Sequence, residues 1–104
     1  MNLKGIFLLG LLLLPAAHAA GTSHTVTIEG MRFLPEVLTV EPGDTIVWVN
    51  KDLVAHTATS TDGGFDSKAI QAGKSWKFTI RKTGTFAYIC TFHPTMNAIL
   101  RVKP

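Results

Sequence analysis

Three side chains that bind soft metal ions follow one another at intervals of three residues near the end of the chain. Cys90, His93 and Met96 supply a thiol, an imidazole and a thioether in turn. One cysteine and two histidines in a trigonal plane, with a weak axial methionine, form the ligand set of blue-copper sites. The motif lacks one imidazole of that set. The sequence therefore predicts that a second histidine reaches it from elsewhere.

The other three histidines are not equivalent candidates for this role. His18 lies in a segment that we expect to be removed, and His24 would lie near the new N-terminus, where chains fray. His56 follows a short loop, residues 51–55, after a predicted strand. The predicted metal ligands are therefore His56, Cys90, His93 and Met96.

Each of these residues alone has a simpler explanation. A lone buried cysteine usually packs as a small apolar side chain, and a methionine beside a strand is usually part of the core. A single histidine in a loop is usually solvated. The combined spacing favours a metal site, and Cys90 has no cysteine partner for a disulfide because it is the only cysteine. Zinc is disfavoured because it seldom recruits methionine.

The first nineteen residues are typical of a cleaved signal peptide. Lys4 gives the positive start, residues 6–14 are mostly leucine, and Ala17 and Ala19 are the small residues before the cleavage point. An uncleaved anchor is disfavoured because Pro15 ends an apolar run shorter than the about 20 residues that span a bilayer. We expect residues 1–19 to be a signal peptide, residues 20–104 to be one copper-binding domain, and the protein to be periplasmic.

The charge of the mature chain argues against a nucleic-acid partner. The full sequence carries +3, and loss of Lys4 leaves nine basic residues against seven acidic ones, about +2. Nucleic-acid-binding domains carry denser basic patches. We also expect no membrane span in the mature form.

The mature chain is predicted to be all-β. Runs rich in valine, isoleucine, threonine and aromatic residues alternate with breaks that contain glycine, proline or aspartate. Residues 41–44 have the Pro-Gly centre of a type II turn. Alternation places Phe86, Tyr88 and Cys90 on one sheltered face of their strand, and Met31 is interpreted as core. The predicted strands are 25–28, 37–40, 45–50, 56–59, 75–80, 85–90 and 98–102.

Residues 37–50 and 84–90 resemble the cupredoxins, blue type 1 copper proteins, in their amicyanin and plastocyanin-like branch. The two-residue gap between His93 and Met96 is similar to the short ligand loop of amicyanins. This resemblance implies a Greek-key β-sandwich of about eight strands that holds one type 1 copper ion under one end. Two positions depart from the family pattern. Thr57 replaces an asparagine that braces the cysteine loop, so no bracing role is assigned to it, and Phe92 replaces a proline.

The expected function is electron transfer by a copper ion that cycles between Cu(II) and Cu(I). The expected partners are redox proteins, of cytochrome or dehydrogenase type, that dock near His93 on a monomer. The alternative is copper storage or delivery in the periplasm, which would give a colourless site that releases Cu(I) readily. An enzyme with Cys90 as nucleophile and His93 as base is disfavoured because the cysteine faces a packed interior and no orienting third group is apparent.

Overall fold

The computed structural model describes residues 21–104, which form eight strands and contain no helix. The predicted signal peptide, residues 1–19, lies outside the described residues. None of the described segments forms a helix with the length and apolar character needed to cross a membrane. In chain order the strands are β1 (Ser23–Ile28), β2 (Phe33–Leu34), β3 (Val37–Val40), β4 (Thr45–Asn50), β5 (Thr59–Ser60), β6 (Ser75–Thr79), β7 (Gly84–Cys90) and β8 (His93–Val102).

The strands form two four-stranded sheets that pack face to face. One sheet has the order β2-β1-β4-β6, and the other has the order β3-β8-β7-β5. β1 lies parallel to β4 and β3 lies parallel to β8, whereas the remaining pairs are antiparallel. The prediction of an all-β sandwich with about eight strands is confirmed.

The core between the sheets follows the alternation of the sequence. Ile46 and Trp48 of β4 and Phe86 and Tyr88 of β7 are buried, and the Trp48 and Tyr88 rings meet edge to face with 5.6 Å between centroids. Fully burying a side chain of this kind stabilises the fold by about 1.5–3 kcal/mol. Cys90 is the next inward position of β7 and is buried, so the predicted sheltered face is confirmed.

Apart from shifts of one or two residues at the strand ends, the strands differ from the predicted ones in three respects. β8 begins at His93 rather than at residue 98, because its first residues pair with the end of β7 across an irregularity at Ile89 and Cys90. The predicted strand 56–59 is reduced to an isolated bridge between His56 and Ile70, followed by the two-residue β5. The short β2 was not predicted.

The prediction that Met31 belongs to the core is wrong. Its side chain is 40% exposed, and its backbone has a φ of 61° in the turn between β1 and β2. That left-handed conformation is uncommon for a residue other than glycine. The turn directs the Met31 side chain toward solvent rather than between the sheets.

The turn at residues 41–44 organises the start of β4. The Asp44 N–H donates to the Glu41 carbonyl over 3.0 Å, and Gly43 has a φ of 94°, as a type II turn requires. The Asp44 carboxylate accepts the N–H groups of Thr22 and Glu41, and the His24 ring lies 2.8 Å from it. His24 is therefore held within β1, and the prediction of a frayed position is wrong.

These contacts predict an acid-dependent loss of stability that centres on Asp44. The Glu41 N–H, the His24 ring and the Thr22 N–H lower the Asp44 pKa from 3.8 to about 2. A carboxyl with a lower pKa in the folded state stabilises the fold above its unfolded pKa, and this contribution disappears as the pH falls from about 4 toward 2. The urea midpoint of the wild type should therefore fall more steeply over this range than that of Asp44→Asn.

The control for this experiment is Glu36→Gln, which removes an exposed carboxyl outside the Asp44 network. Its pH profile should follow the wild type. Parallel profiles for Asp44→Asn and the wild type would contradict the role of Asp44.

Candidate metal centre

The four predicted ligands come from two parts of the chain that meet at one end of the sandwich. Cys90 ends β7, while His93 and Met96 lie in the first half of β8. His56 lies after the loop that follows β4. His56 and Cys90 are 0% exposed, Met96 is 5% exposed, and His93 is partly exposed.

The cysteine and the buried histidine are the closest pair. The Cys90 Sγ lies 3.6 Å from the His56 Nδ1. A divalent ion such as zinc binds sulfur at about 2.3 Å and imidazole nitrogen at about 2.0–2.1 Å, so a shared ion with tetrahedral to trigonal angles would hold the two atoms about 3.5–3.8 Å apart. The observed separation fits a metal ion between them.

The His93 ring contacts that of His56, and Met96 is buried in the same strand as His93. The rings of His56 and His93 have centroids 5.5 Å apart and meet edge to face. Met96 is buried on the face of β8 that it shares with Ala98 and Leu100. Within residues 21–104, no three His, Cys, Asp or Glu side chains are already close enough together to hold a metal ion. The structure thus joins His56 to Cys90 directly and leaves His93 at the edge.

Thr57, to which the sequence analysis assigned no role, contacts the Cys90 sulfur. Its backbone N–H donates to the Cys90 Sγ over 3.3 Å. Its hydroxyl oxygen accepts the Thr91 N–H over 2.9 Å, next to the Thr91 hydroxyl at 3.2 Å. The expectation that Thr57 has no bracing role is therefore wrong, because a hydroxyl reaches the cysteine loop as well.

The Asp52 carboxylate contacts the His56 ring at Nε2, the nitrogen that does not face Cys90. The Asp52 Oδ2 lies 2.9 Å from the His56 Nε2, and the same carboxylate accepts the N–H groups of Gly30 and Met31 over 2.7 Å and 2.9 Å. Burial raises the Asp52 pKa, but the Met31 and Gly30 N–H groups and then His56 lower it, to a net value below 3.8. Asp52 is therefore ionised at neutral pH. The only sequence feature that could have identified Asp52 as a partner of His56 is its position four residues before that histidine.

The loop that carries Asp52 is organised by Asn50, which is fully buried. The Asn50 Nδ2 donates to the carbonyls of Val54 and Ile70, each over 2.9 Å. Its Oδ1 accepts the Asp52 N–H over 2.9 Å. A buried amide with these three partners fixes the path of the loop and with it the approach of His56.

Cys90, His56 and Asp52 also have the connectivity of a nucleophile, a base and an orienting group. An orienting group is therefore present, contrary to the sequence-based expectation, although it acts on His56 and not on His93. The sulfur is fully buried, and the described part of the chain contains no cavity for a substrate.

Exposed apolar side chains flank the two histidines along the chain. Leu53 is 96% exposed, and Val54 beside it is also exposed; both belong to the loop before His56. Phe92 and Pro94 are exposed on either side of His93. The partly exposed imidazole thus lies between apolar neighbours at this end of the sandwich.

Comparison with known proteins agrees with this architecture. Amicyanin of Paracoccus versutus is 28% identical over 93 residues, which cover 85% of this chain and 70% of that protein. The Cu(I) form of an amicyanin mutant superposes with a TM-score of 0.73 at 27% identity, covering 85% of this chain and 88% of the other.

A copper-containing nitrite reductase of Thermus scotoductus superposes with a TM-score of 0.75 at 29% identity. The match covers 88% of this chain but only 25% of the reductase chain. The family model of the cupredoxin-like domain matches residues 4–102. The chain therefore belongs to the cupredoxin-like family, in the branch that resembles amicyanin.

Proposed function

We propose that this protein is an exported, non-enzymatic electron carrier that holds one type 1 copper ion through His56, Cys90, His93 and Met96. The observation that carries the proposal is the separation of 3.6 Å between the Cys90 Sγ and the His56 Nδ1 inside a closed β-sandwich. When bound, copper supplies reversible one-electron chemistry between Cu(II) and Cu(I).

The surrounding residues support a site that changes little when an electron arrives. The Thr57 N–H holds the Cys90 sulfur, and Asp52 holds the His56 ring from its other side. Because these groups are buried or tied to the backbone, they keep their positions in both oxidation states. A ligand set that need not rearrange gives a low barrier to electron transfer.

His93 is the proposed exit for the electron. It is the one exposed member of the four, and the apolar side chains of Leu53, Val54, Phe92 and Pro94 lie near the two histidines in the chain. Redox partners meet over small interfaces, below about 1,200 Å² in total, so a modest apolar surface is sufficient. We propose that a protein partner, of cytochrome or dehydrogenase type, docks on a monomer here.

The proposed location is the periplasm, after removal of residues 1–19. The leucine-rich start of the chain supports export. Copper storage or delivery is less well supported, because His56 and Cys90 are fully buried and offer no exposed route for ligand exchange.

The test is a titration of the purified protein with Cu(II), followed by voltammetry. An intense visible band from thiolate-to-copper charge transfer, together with reversible one-electron voltammetry, is the expected result. A colourless product, or copper that passes rapidly to a chelator, would instead support storage or delivery.

Met96→Leu is expected to retain copper and raise the reduction potential. Loss of an axial thioether weakens the binding of Cu(II) more than that of Cu(I), and each tenfold difference corresponds to about 59 mV for one electron. Because leucine fills a similar volume, the buried site at Met96 should stay packed. Voltammetry of the two proteins checks the direction of the shift.

Met31→Leu is the matched control, since it removes a thioether whose side chain is exposed in the turn between β1 and β2. Its potential should equal that of the wild type. A lower potential in Met96→Leu, or complete loss of its copper, would remove Met96 from the axial position.

A further inference from the structure

We propose that Asp52 is a positioning residue that holds His56 in the tautomer with the proton on Nε2, so that the bare Nδ1 faces Cys90. The geometry that points to this role is a line of three groups. The Asp52 Oδ2 lies 2.9 Å from Nε2, and the Cys90 Sγ lies 3.6 Å from Nδ1. The inference rests on the proposed role of His56 as a ligand.

The chemistry of the carboxylate decides the tautomer. Each Asp52 oxygen already accepts a backbone N–H group, and an oxygen that accepts hydrogen bonds is matched by a proton on the ring nitrogen that faces it. In a neutral imidazole the other nitrogen then keeps its lone pair, which is the donor that a metal ion requires. Asp52 therefore selects which ring nitrogen of His56 is available at the sulfur.

The position of Asp52 is itself imposed by the turn between β1 and β2. Gly30 donates its N–H to Oδ1 and Met31 donates its N–H to Oδ2. Both residues have positive φ, 65° and 61°, and this conformation turns successive N–H groups toward the carboxylate. The unusual backbone at Met31 thus serves to hold the group that orients His56.

Asparagine cannot replace this carboxylate. Two backbone N–H groups and the His56 Nε2 converge on the two oxygens of Asp52, whereas an amide offers one oxygen and an NH₂ group. At least one of the two backbone N–H groups would then face the NH₂ group of the amide instead of an acceptor. The ring of His56 is the most adaptable of the three, because it can exchange tautomers.

The first measurement uses the metal-free wild type at pH 8 and long-range ¹H–¹⁵N NMR, which identifies the protonated ring nitrogen of each histidine. We expect the His56 proton on Nε2 alone. A proton on Nδ1, or a mixture of the two tautomers, would overturn the proposal. This result does not depend on metal binding, so it is separate from any failure of the proposed function.

The second measurement compares variants. Asp52→Asn should lose the single Nε2–H tautomer of His56 and bind Cu(II) about 10- to 100-fold more weakly, the usual effect of removing a carboxylate behind a ligating histidine. Asp52→Glu, which retains the carboxylate, should recover the tautomer and much of the affinity. An Asn variant with an unchanged tautomer and unchanged affinity would overturn the proposal.

The control is Asp62→Asn, which makes the same change of charge elsewhere. The Asp62 carboxylate accepts the Gly64 N–H and the Ser60 hydroxyl. The neighbouring Thr61 N–H donates to Ala87, three residues before Cys90 and so about 10 Å back along β7. This variant should leave the tautomer of His56 and the Cu(II) affinity unchanged. If Asp52→Asn does not fold, the wild-type tautomer decides the question alone.

Discussion

Cys90→Ser is expected to abolish the intense visible band that Cu(II) gives with the wild-type protein. The band requires charge transfer from a thiolate, and residues 21–104 contain no other cysteine. The fold should survive, since a serine hydroxyl can accept the Thr57 N–H and donate to the His56 Nδ1 in place of the sulfur. Absorption spectra with added Cu(II), together with circular dichroism of the metal-free proteins, check both parts.

Thr57→Val is the control for the sulfur environment. It keeps the backbone N–H that reaches the Cys90 sulfur but removes the hydroxyl that accepts the Thr91 N–H. We expect the band to remain and the stability to fall by about 1–3 kcal/mol, because a partly buried donor loses its partner. A band that persists in Cys90→Ser would remove the cysteine from the site.

His56→Gln is the second change with a large expected effect, and it should eliminate the same band. The imidazole is fully buried between Asp52 and Cys90, and a glutamine side chain cannot offer a nitrogen lone pair to a metal ion at that position. We expect the variant to bind Cu(II) only weakly, through the remaining side chains, and without the strong colour. Electron paramagnetic resonance of the Cu(II) protein distinguishes the two kinds of site.

The control is His24→Ala, because His24 also lies beside an aspartate but is only partly buried. His24 pairs with Ile46 near the start of β4, whereas His56 follows the far end of that strand at Asn50, so the two lie more than about 10 Å apart. His24→Ala should keep the spectrum of the wild type. If His24 proved essential for the colour and His56 dispensable, the proposed ligand set would be wrong.

The architecture and several local features of the chain were predictable because their causes lie within a few residues. The period of two along a strand placed Cys90 on the same face as Phe86 and Tyr88, and burial confirms it. The Pro-Gly centre of the turn at 41–44 specified a positive φ, which Gly43 adopts. Local alternation did not reveal that β8 begins at His93, because those residues become a strand only by pairing with β7.

The candidate site likewise has features that the sequence predicts and features that depend on the fold. The types and spacing of Cys90, His93 and Met96, and the choice of His56 over His24, come from the sequence by itself. That His56 and Cys90 meet is a tertiary result, since the two residues are 34 positions apart. The ligand set as a whole stays a prediction until copper is added.

The presence and order of the soft donors, and the face of the strand on which Cys90 lies, follow from residue types and their alternation. The groups that hold those donors come from distant parts of the chain. The Thr57 N–H comes to the Cys90 sulfur from 33 positions away, and the Gly30 and Met31 N–H groups come to Asp52 from 22 and 21. Backbone N–H groups are shared by nearly all residue types, so their direction depends on how distant segments pack and leaves no mark in the sequence.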